Sequence, residues 1–340
     1  QRHKMGILNN LLLEYNKKLK PTKTLGTPTH IQIETTNKCN LKCTTCGRQV
    51  PDIRDNLKPK NMTVEEFKMI IDQFQNLSSV GLYSLGEPLS NPEIFDIIRL
   101  LKGRDVFAYL STNGMLLDTN LGKRLVDSGL SRIQFSIDAA DKGLFEELRP
   151  GSDFQRVCKN IRSFVETNDG EASKSLQTEA ITTVTKRNIG EIPKIMRLCS
   201  ELGVKNILLL FPFLMPTERL KPLKISRGEW KSIQEHEKTA EEYGITVDYH
   251  PRRNPTVSQV PCDWPWTSTH ITVEGYVTPC CYADNPKIIN MGNIFEDKFS
   301  SIWNNKIYQE FRDKVRGRAY EGCKHCPNMI LSGGGYDAEG

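Results

Sequence analysis

The sequence predicts an α/β fold: a run of parallel βαβ units followed by a smaller, cysteine-bearing module. Three observations predict it. Strand-length apolar runs alternate with helical patterns six times between His30 and Tyr243. Gly129, Gly203 and Gly244 stand where three of those helices should end, as C-terminal caps. The unusual polar sequences each follow a strand, which is where functional residues of such sheets gather.

The elements follow in order. Met5 to Lys20 has a helical pattern with a basic end, and Pro21 to Pro28 reads as a linker. His30 to Glu34 is the first strand. Thr63 to Gln75 is a helix with Thr63 as N-cap and Glu66 completing a capping box. Ser79–Tyr83 is a strand followed by the helix Pro92–Leu101, and Val106–Leu110 a strand followed by Leu116–Ser128. Arg132–Ile137 precedes helices between Asp141 and Thr167. Leu176–Val184 precedes Ile192–Leu202, and Asn206–Leu210 precedes Arg227–Tyr243. After Tyr249 the rhythm stops. His250 to Val260 is a Pro- and Arg-containing connection. His270 to Pro279 reads as a hairpin turning at Glu274-Gly275. Ser300 to Val315 is a helix anchored by Trp303, Tyr308 and Phe311, and the tail SGGGYDAEG is flexible in composition.

The 340 residues suffice for one large domain plus a small one. No window approaches the roughly 20 apolar residues of a membrane span, and no signal peptide opens the chain. Gln1 to Lys4 reads as residues added ahead of a start at Met5. A net charge of +5 is mild for this length and does not by itself argue for nucleic acid.

The ten cysteines are unevenly placed. Cys39, Cys43 and Cys46 form one cluster, and Cys262, Cys280, Cys281, Cys323 and Cys326 lie in the last quarter. Cys158 and Cys199 stand alone in helical patterns and read as buried core thiols. A secreted disulfide scaffold would be shorter and more evenly stapled. Tight groups in a long chain read instead as metal ligands in a reducing compartment, so a cytoplasmic location is expected. Three thiolates in one loop can hold zinc if a fourth ligand arrives, for which His30 is a conceivable donor. They can equally hold a [4Fe–4S] cluster with one iron left open, as a working centre requires.

Cys39-x3-Cys43-x2-Cys46 after a first strand resembles the defining motif of the radical S-adenosylmethionine (SAM) family. Leu85-Gly86-Glu87-Pro88 resembles that family's Gly-Gly-Glu-Pro motif, and Ser136-Ile137-Asp138 its fourth-strand motif at the SAM ribose. Leu148-Arg149-Pro150-Gly151 resembles an Arg-Pro-Gly segment of members with C-terminal cluster domains. The sequence departs from the pattern at Thr45, where an aromatic residue is usual, and at Leu85, which replaces a glycine. The resemblance implies a partial (β/α)6 TIM-like barrel and a [4Fe–4S] cluster on Cys39, Cys43 and Cys46. It implies SAM contacts from Gly86, Glu87, Pro88, Ser111, Asn113, Ser136, Asp138 and Arg149. Cleavage of SAM to a 5′-deoxyadenosyl radical, and abstraction of a substrate hydrogen atom, are implied with it.

Cys262, Cys280, Cys323 and Cys326 resemble the ligand set of a twitch domain, the half-length relative of the SPASM module. That resemblance implies one auxiliary [4Fe–4S] cluster ligated wholly by protein and suited to electron transfer. The expected domains are 1–29 (helix and linker), 30–250 (partial barrel), 251–330 (auxiliary domain) and 331–340 (tail). The expected activity is an oxidation of carbinol-to-ketone type, resembling aminocyclitol dehydrogenases of the twitch subgroup. Radical epimerisation, with Cys281 as hydrogen donor, and peptide modification are the alternatives. About 38 residues before Cys39 are too few for the leader-binding domain that peptide-modifying members often carry. A non-catalytic, zinc-stapled binding protein is the alternative of another class. A small molecule or peptide is the expected substrate and flavodoxin or ferredoxin the electron donor, with neither membrane nor nucleic acid as partner. Cys281 should share a strand with Cys280 and face the other way, as inert packing or as a donor at the barrel mouth. Trp264 and Trp266 read as packing around a cluster, and Arg252 and Arg253 as solvated loop residues. Tyr83, Thr183, Phe211 and His250 are pocket candidates by position alone.

Overall fold

The computed structural model describes residues 2–170, 176–210, 223, 225–250, 262–281, 285–324 and 326. Phe211, Arg252, Arg253 and the 331–340 tail lie outside the described residues. Ten strands follow in chain order: β1 (His30–Ile33), β2 (Ser79–Gly81), β3 (Phe107–Thr112), β4 (Arg132–Ser136) and β5 (Gln177–Thr183). Then come β6 (Asn206–Leu210), β7 (Thr246–His250), β8 (Ser268–Ile271), β9 (Tyr276–Thr278) and β10 (Gly292–Asn293). The first six are the expected strands. The seventh is an addition, extending the parallel set beyond β6.

The chain divides into two compact units. One draws on Gln1–Lys38, Lys58–Ala108 and Asn254–Tyr336, the other on Cys39–Leu57 and Tyr109–Arg253. In the first unit the strand order is β10-β9-β8-β1-β2. β1 pairs in parallel with both β2 and β8, and the β8–β9 hairpin is antiparallel, as its turn at Glu274-Gly275 requires. Ile31, Ile33, Val80 and Ile271 are buried, with Phe67, Ile70, Ile97 and Leu101 of the helices Val64–Ile71 and Ile94–Lys102. The first of these helices starts as the sequence requires, with a complete Thr63/Glu66 capping box. Thr269 reaches Tyr308 of the helix Lys306–Arg316 at 3.2 Å, so alternation turns His270 to the other face of β8. The expected helix Ser300–Val315 is two helices, Phe299–Ile302 and Lys306–Arg316. Asn305 separates them because its side chain caps the second, accepting from Tyr308 N at 2.8 Å.

In the second unit β3 to β7 run parallel in sequence order, β3 entering it at Tyr109. Among the described residues β7 pairs only with β6, so the strands do not close on themselves and the barrel is partial. The period of two sorts the faces. Ile133, Phe135 and Ile137 are buried, and Phe135 meets Phe164 of the helix Phe154–Gly170 edge-on, with ring centroids 5.7 Å apart. Gln134, Ser136 and Asp138 alternate with them and therefore belong to the other face. Cys199 is fully buried, as expected, whereas Cys158 is half-buried.

Candidate functional site

The first cysteine loop lies in the second unit and is clamped by the Arg-Pro-Gly segment. Lys42 N donates to Pro150 O at 3.0 Å and Thr44 N to Leu148 O at 2.9 Å. Cys46 N closes a turn onto Cys43 O at 3.2 Å. Gly151 holds φ +95°, a left-handed conformation that lets the segment turn under the loop. The Arg149 guanidinium is buried between charges of the opposite sign. Its Nη2 is 2.6 Å from Asp138 Oδ2 and its Nη1 3.9 Å from Cys43 Sγ. Burial works against its cation, but Asp138 and the Cys43 and Cys46 sulfurs favour it, and the net shift is upward. Burial pushes the Cys43 thiol up while Arg149 pulls it back. Asp138 also accepts from Thr183 N at 2.9 Å through its other oxygen.

The remaining barrel candidates of this unit lie on the same strands. Asn113 donates to Asn40 Oδ1, beside Cys39, at 2.8 Å and accepts from Met115 N at 3.0 Å. Ser111 donates to Gln134 at 2.7 Å, and Gln134 in turn to Glu179 at 2.6 Å, along the register of β3, β4 and β5. Ser136 is half-buried at the end of β4. Gln134 and Glu179 were not anticipated. Nothing in a strand pattern distinguishes a buried amide–carboxylate pair from an ordinary polar face.

Gly86, Glu87 and Pro88 belong to the first unit. A Cβ on Gly86 would lie 2.0 Å from Thr36 O, so only hydrogen fits there. Glu87 is 3 % exposed; its N donates to Lys38 O at 2.8 Å and its carboxylate accepts from Leu89 N at 3.2 Å. Glu34 is a residue that sequence reasoning missed. Its two oxygens accept from Leu85 N at 3.2 Å and Val273 N at 3.1 Å, tying the motif loop to the hairpin.

The second cysteine set also lies in the first unit. Cys262 leads into the short helix Trp264–Thr267, and Cys280 follows β9. Burial pushes the Cys323 thiol up, and Cys280 and Cys262 push it further, so these three sulfurs share one neighbourhood. Cys326 is buried, with its N donating to Cys323 O at 3.1 Å. Gly275 (φ +86°) is required at the hairpin turn, where a Cβ would lie 2.3 Å from the Phe295 ring. Four thiols supplied by one unit, with Cys323 raised by burial and by its neighbours, suit iron, whose positive charge would stabilise them as thiolates. Among the described residues no three of His, Cys, Asp or Glu gather tightly enough to hold a single metal ion. The thiolates of a cubane each take a different iron and are spread more widely.

Four expectations need correction or placement. Cys280 and Cys281 are not on a strand: β9 ends at Thr278, before Pro279, whose nitrogen cannot extend the ladder. Alternation therefore does not set the direction of Cys281, which is half-buried in a turn. His30 is engaged with Ser79 Oγ at 2.9 Å and meets Trp264 edge-on. Trp266 is buried, its indole donating to Pro21 O at 2.8 Å. Of the positional pocket candidates, Thr183 serves Asp138, while Tyr83 O accepts from Gln32 at 3.0 Å and His250 ends β7. Gln32 and its register partner His270 are buried on one face of the first unit. Among the described residues Gln32 Oε1 and His270 Nε2 have no hydrogen-bond partner.

A parallel α/β scaffold with cysteine loops at these positions defines a class. The radical SAM superfamily pattern matches residues 33–199, and an iron–sulfur cluster-binding domain of SPASM type matches residues 262–327. The chain belongs to the radical SAM superfamily and carries a SPASM-type domain; it is an enzyme of that kind, with SAM and iron–sulfur clusters as cofactors. It is 26 % identical over 270 residues to a probable GTP 3′,8-cyclase of Methanocaldococcus jannaschii, spanning 75 % of this chain and 85 % of that one. It is 27 % identical over 318 residues to an AdoMet-dependent heme synthase of Methanosarcina barkeri, spanning 84 % and 85 %. Its fold resembles Streptococcus suis SuiB (TM-score 0.68, 18 % identity, 91 % of this chain and 73 % of that one). It also resembles anSMEcpe with bound AdoMet (TM-score 0.66, 18 % identity, 90 % and 88 %).

Proposed function

We propose that the protein catalyses a net oxidation at a substrate carbon, of carbinol-to-ketone type. The observation that carries this reading is the second cysteine set. Cys262, Cys280, Cys323 and Cys326 supply four thiols, enough to ligate every iron of a cubane and leave none open to substrate. Such a centre is suited to accepting an electron. When bound, the cluster on Cys39, Cys43 and Cys46 with SAM supplies a 5′-deoxyadenosyl radical, and the auxiliary cluster an electron acceptor. The substrate carbon would lose its hydrogen atom to that radical and an electron to that acceptor, and the hydroxyl its proton to solvent, so that C–H and O–H bonds break and C=O forms.

The chain's own residues bind and orient. Glu87 accepts from the SAM ammonium, with Gly86 and Pro88 shaping that loop. Ser111, Asn113, Ser136 and Asp138 offer polar groups to the nucleoside, and Arg149 counters the charge of the thiolates. The domain order is 1–29, 30–250 and 251–330, a flavodoxin or ferredoxin supplies electrons, and the protein acts in the cytoplasm. Peptide modification is the second reading, because SuiB was crystallised with its precursor peptide and anSMEcpe with a Cp18Cys peptide.

The test begins with iron. Anaerobic reconstitution should give about eight irons per chain, for two cubanes. Replacing Cys39, Cys43 and Cys46 together by Ala should leave about four and abolish 5′-deoxyadenosine formation under dithionite. Undiminished 5′-deoxyadenosine in that variant, or zinc in place of iron, removes the basis of the proposal.

A further inference from the structure

The N-terminal helix Arg2–Leu19 is built inside out. Its buried positions are Asn9, Leu13, Asn16 and Lys20 just past its end, a mostly polar face. Its exposed positions include Ile7, Leu8, Leu11, Tyr15 and Leu19, each between 45 % and 63 % exposed. Ile7, Leu11, Tyr15 and Leu19 recur every fourth residue and Leu8 lies beside them, so they form one stripe along the helix. An ordinary surface helix does the reverse.

Hydrogen bonds fix this orientation. Asn9 donates to Thr27 O at 3.0 Å and accepts from Thr27 N at 2.9 Å. Asn16 does the same with Leu25, at 2.6 and 3.2 Å. Lys20 donates to Cys262 O at 3.2 Å and pairs with Asp263. Gly26 permits the close approach, since a Cβ there would lie 2.7 Å from Asn9 Oδ1. Rotating the helix to hide its leucines would break these bonds and bury unpaired amides.

Charge says what covers the stripe. From Met5 to Thr24 the chain carries four basic side chains (Lys17, Lys18, Lys20 and Lys23) and one acidic side chain, Glu14; Lys20 pairs with Asp263 and Lys17 with Glu14, which leaves Lys18 and Lys23 exposed. The 316 residues after Thr24 carry 40 basic and 40 acidic side chains, so the excess of positive charge lies in this segment. Lys18 is exposed and stands seven residues after Leu11, on the stripe's own face. A fixed apolar stripe with lysines alongside suits a surface that is apolar beneath and anionic above. No described helix is long and apolar enough to cross a membrane. The sequence expectation of no membrane partner rested on the lack of a span, which a helix lying in the interface does not need.

We propose that this helix seats the protein on an anionic lipid surface, with Ile7, Leu8, Leu11, Tyr15 and Leu19 in the acyl boundary and Lys18 at the headgroups. The full chain, reconstituted with its clusters, is to be floated with vesicles of phosphatidylcholine alone or mixed with phosphatidylserine. It should rise with the mixed vesicles, much less with the neutral ones, and salt should weaken the association. Leu8→Ser combined with Leu11→Ser and Leu19→Ser should abolish flotation without changing helicity by circular dichroism or SAM cleavage. Lys18→Gln should weaken binding to the mixed vesicles about fivefold. Failure of the parent to float overturns the proposal, as does flotation of the triple-serine variant at the parent's level. A dimer in light scattering that the serine variant disperses, with no flotation, would assign the stripe to a second copy instead.

Discussion

At the scale of single residues, Glu87 carries the sharpest expectation. It is almost fully buried, and its backbone is pinned to Lys38 O at 2.8 Å. The Gly86 approach to Thr36 O leaves the loop little room to shift. If Glu87 accepts from the SAM ammonium, Glu87→Gln removes a charged hydrogen bond, a loss of roughly 2–3 kcal/mol. SAM binding measured by equilibrium dialysis should weaken on the order of tenfold or more. Unchanged affinity would move the ammonium contact elsewhere. Gly86, Glu87 and Arg149 stood out because each sits in a short motif. Their partners were not. That Arg149 pairs with Asp138 at 2.6 Å is a tertiary fact with no local signal. The roles of Glu34, Gln32 and His270 were hidden for the same reason: a polar residue in a strand is the ordinary case.

At the scale of elements, strand and helix order was readable because hydrophobic period and caps are local, as the Thr63/Glu66 box shows. Pairing is not local. The parallel ladder between β1 and β8 joins residues more than two hundred positions apart, and no pattern announced it. The overrun at Cys280 and Cys281 came from treating Pro279 as part of a strand it ends. The N-terminal helix was found, but its facing was not, because periodicity locates an apolar stripe without saying what lies against it. The β1–β8 ladder also yields a pH prediction. Burial lowers His30 to about 4 and His270 to about 3, although Ser79 partly opposes the first shift. Both then bind a proton more readily when unfolded, where the ordinary value is near 6.5. Stability is therefore intact above pH ~6.5 and falls as pH drops toward the folded values, each histidine contributing about 1.4 kcal/mol per pH unit within that window. Urea unfolding of the parent and of His270→Gln between those limits should show a shallower pH slope in the variant. Equal slopes would mean that His270 is protonated in the fold.

At the scale of the whole molecule, the question is where the substrate radical goes after hydrogen abstraction. Transfer of an electron to the auxiliary cluster gives oxidation. Transfer of a hydrogen atom from a thiol gives inversion at the same carbon. Cys281 is the thiol to test, since it follows a proposed ligand and lies half-buried in a turn rather than packed on a strand face. Under the proposed oxidation the four-cysteine auxiliary set would be the acceptor. Turnover in deuterium oxide separates the two. With substrate in hand, the parent and Cys281→Ala should both give ketone and place no solvent deuterium at the oxidised carbon. Cys323→Ala with Cys326→Ala should lose the ketone while 5′-deoxyadenosine still forms, because abstraction does not depend on the acceptor. An inverted product carrying one deuterium, lost on Cys281→Ala, would replace oxidation with epimerisation and make Cys281 the donor. Ketone formed at full rate by the folded auxiliary double variant would instead leave that cluster a structural staple.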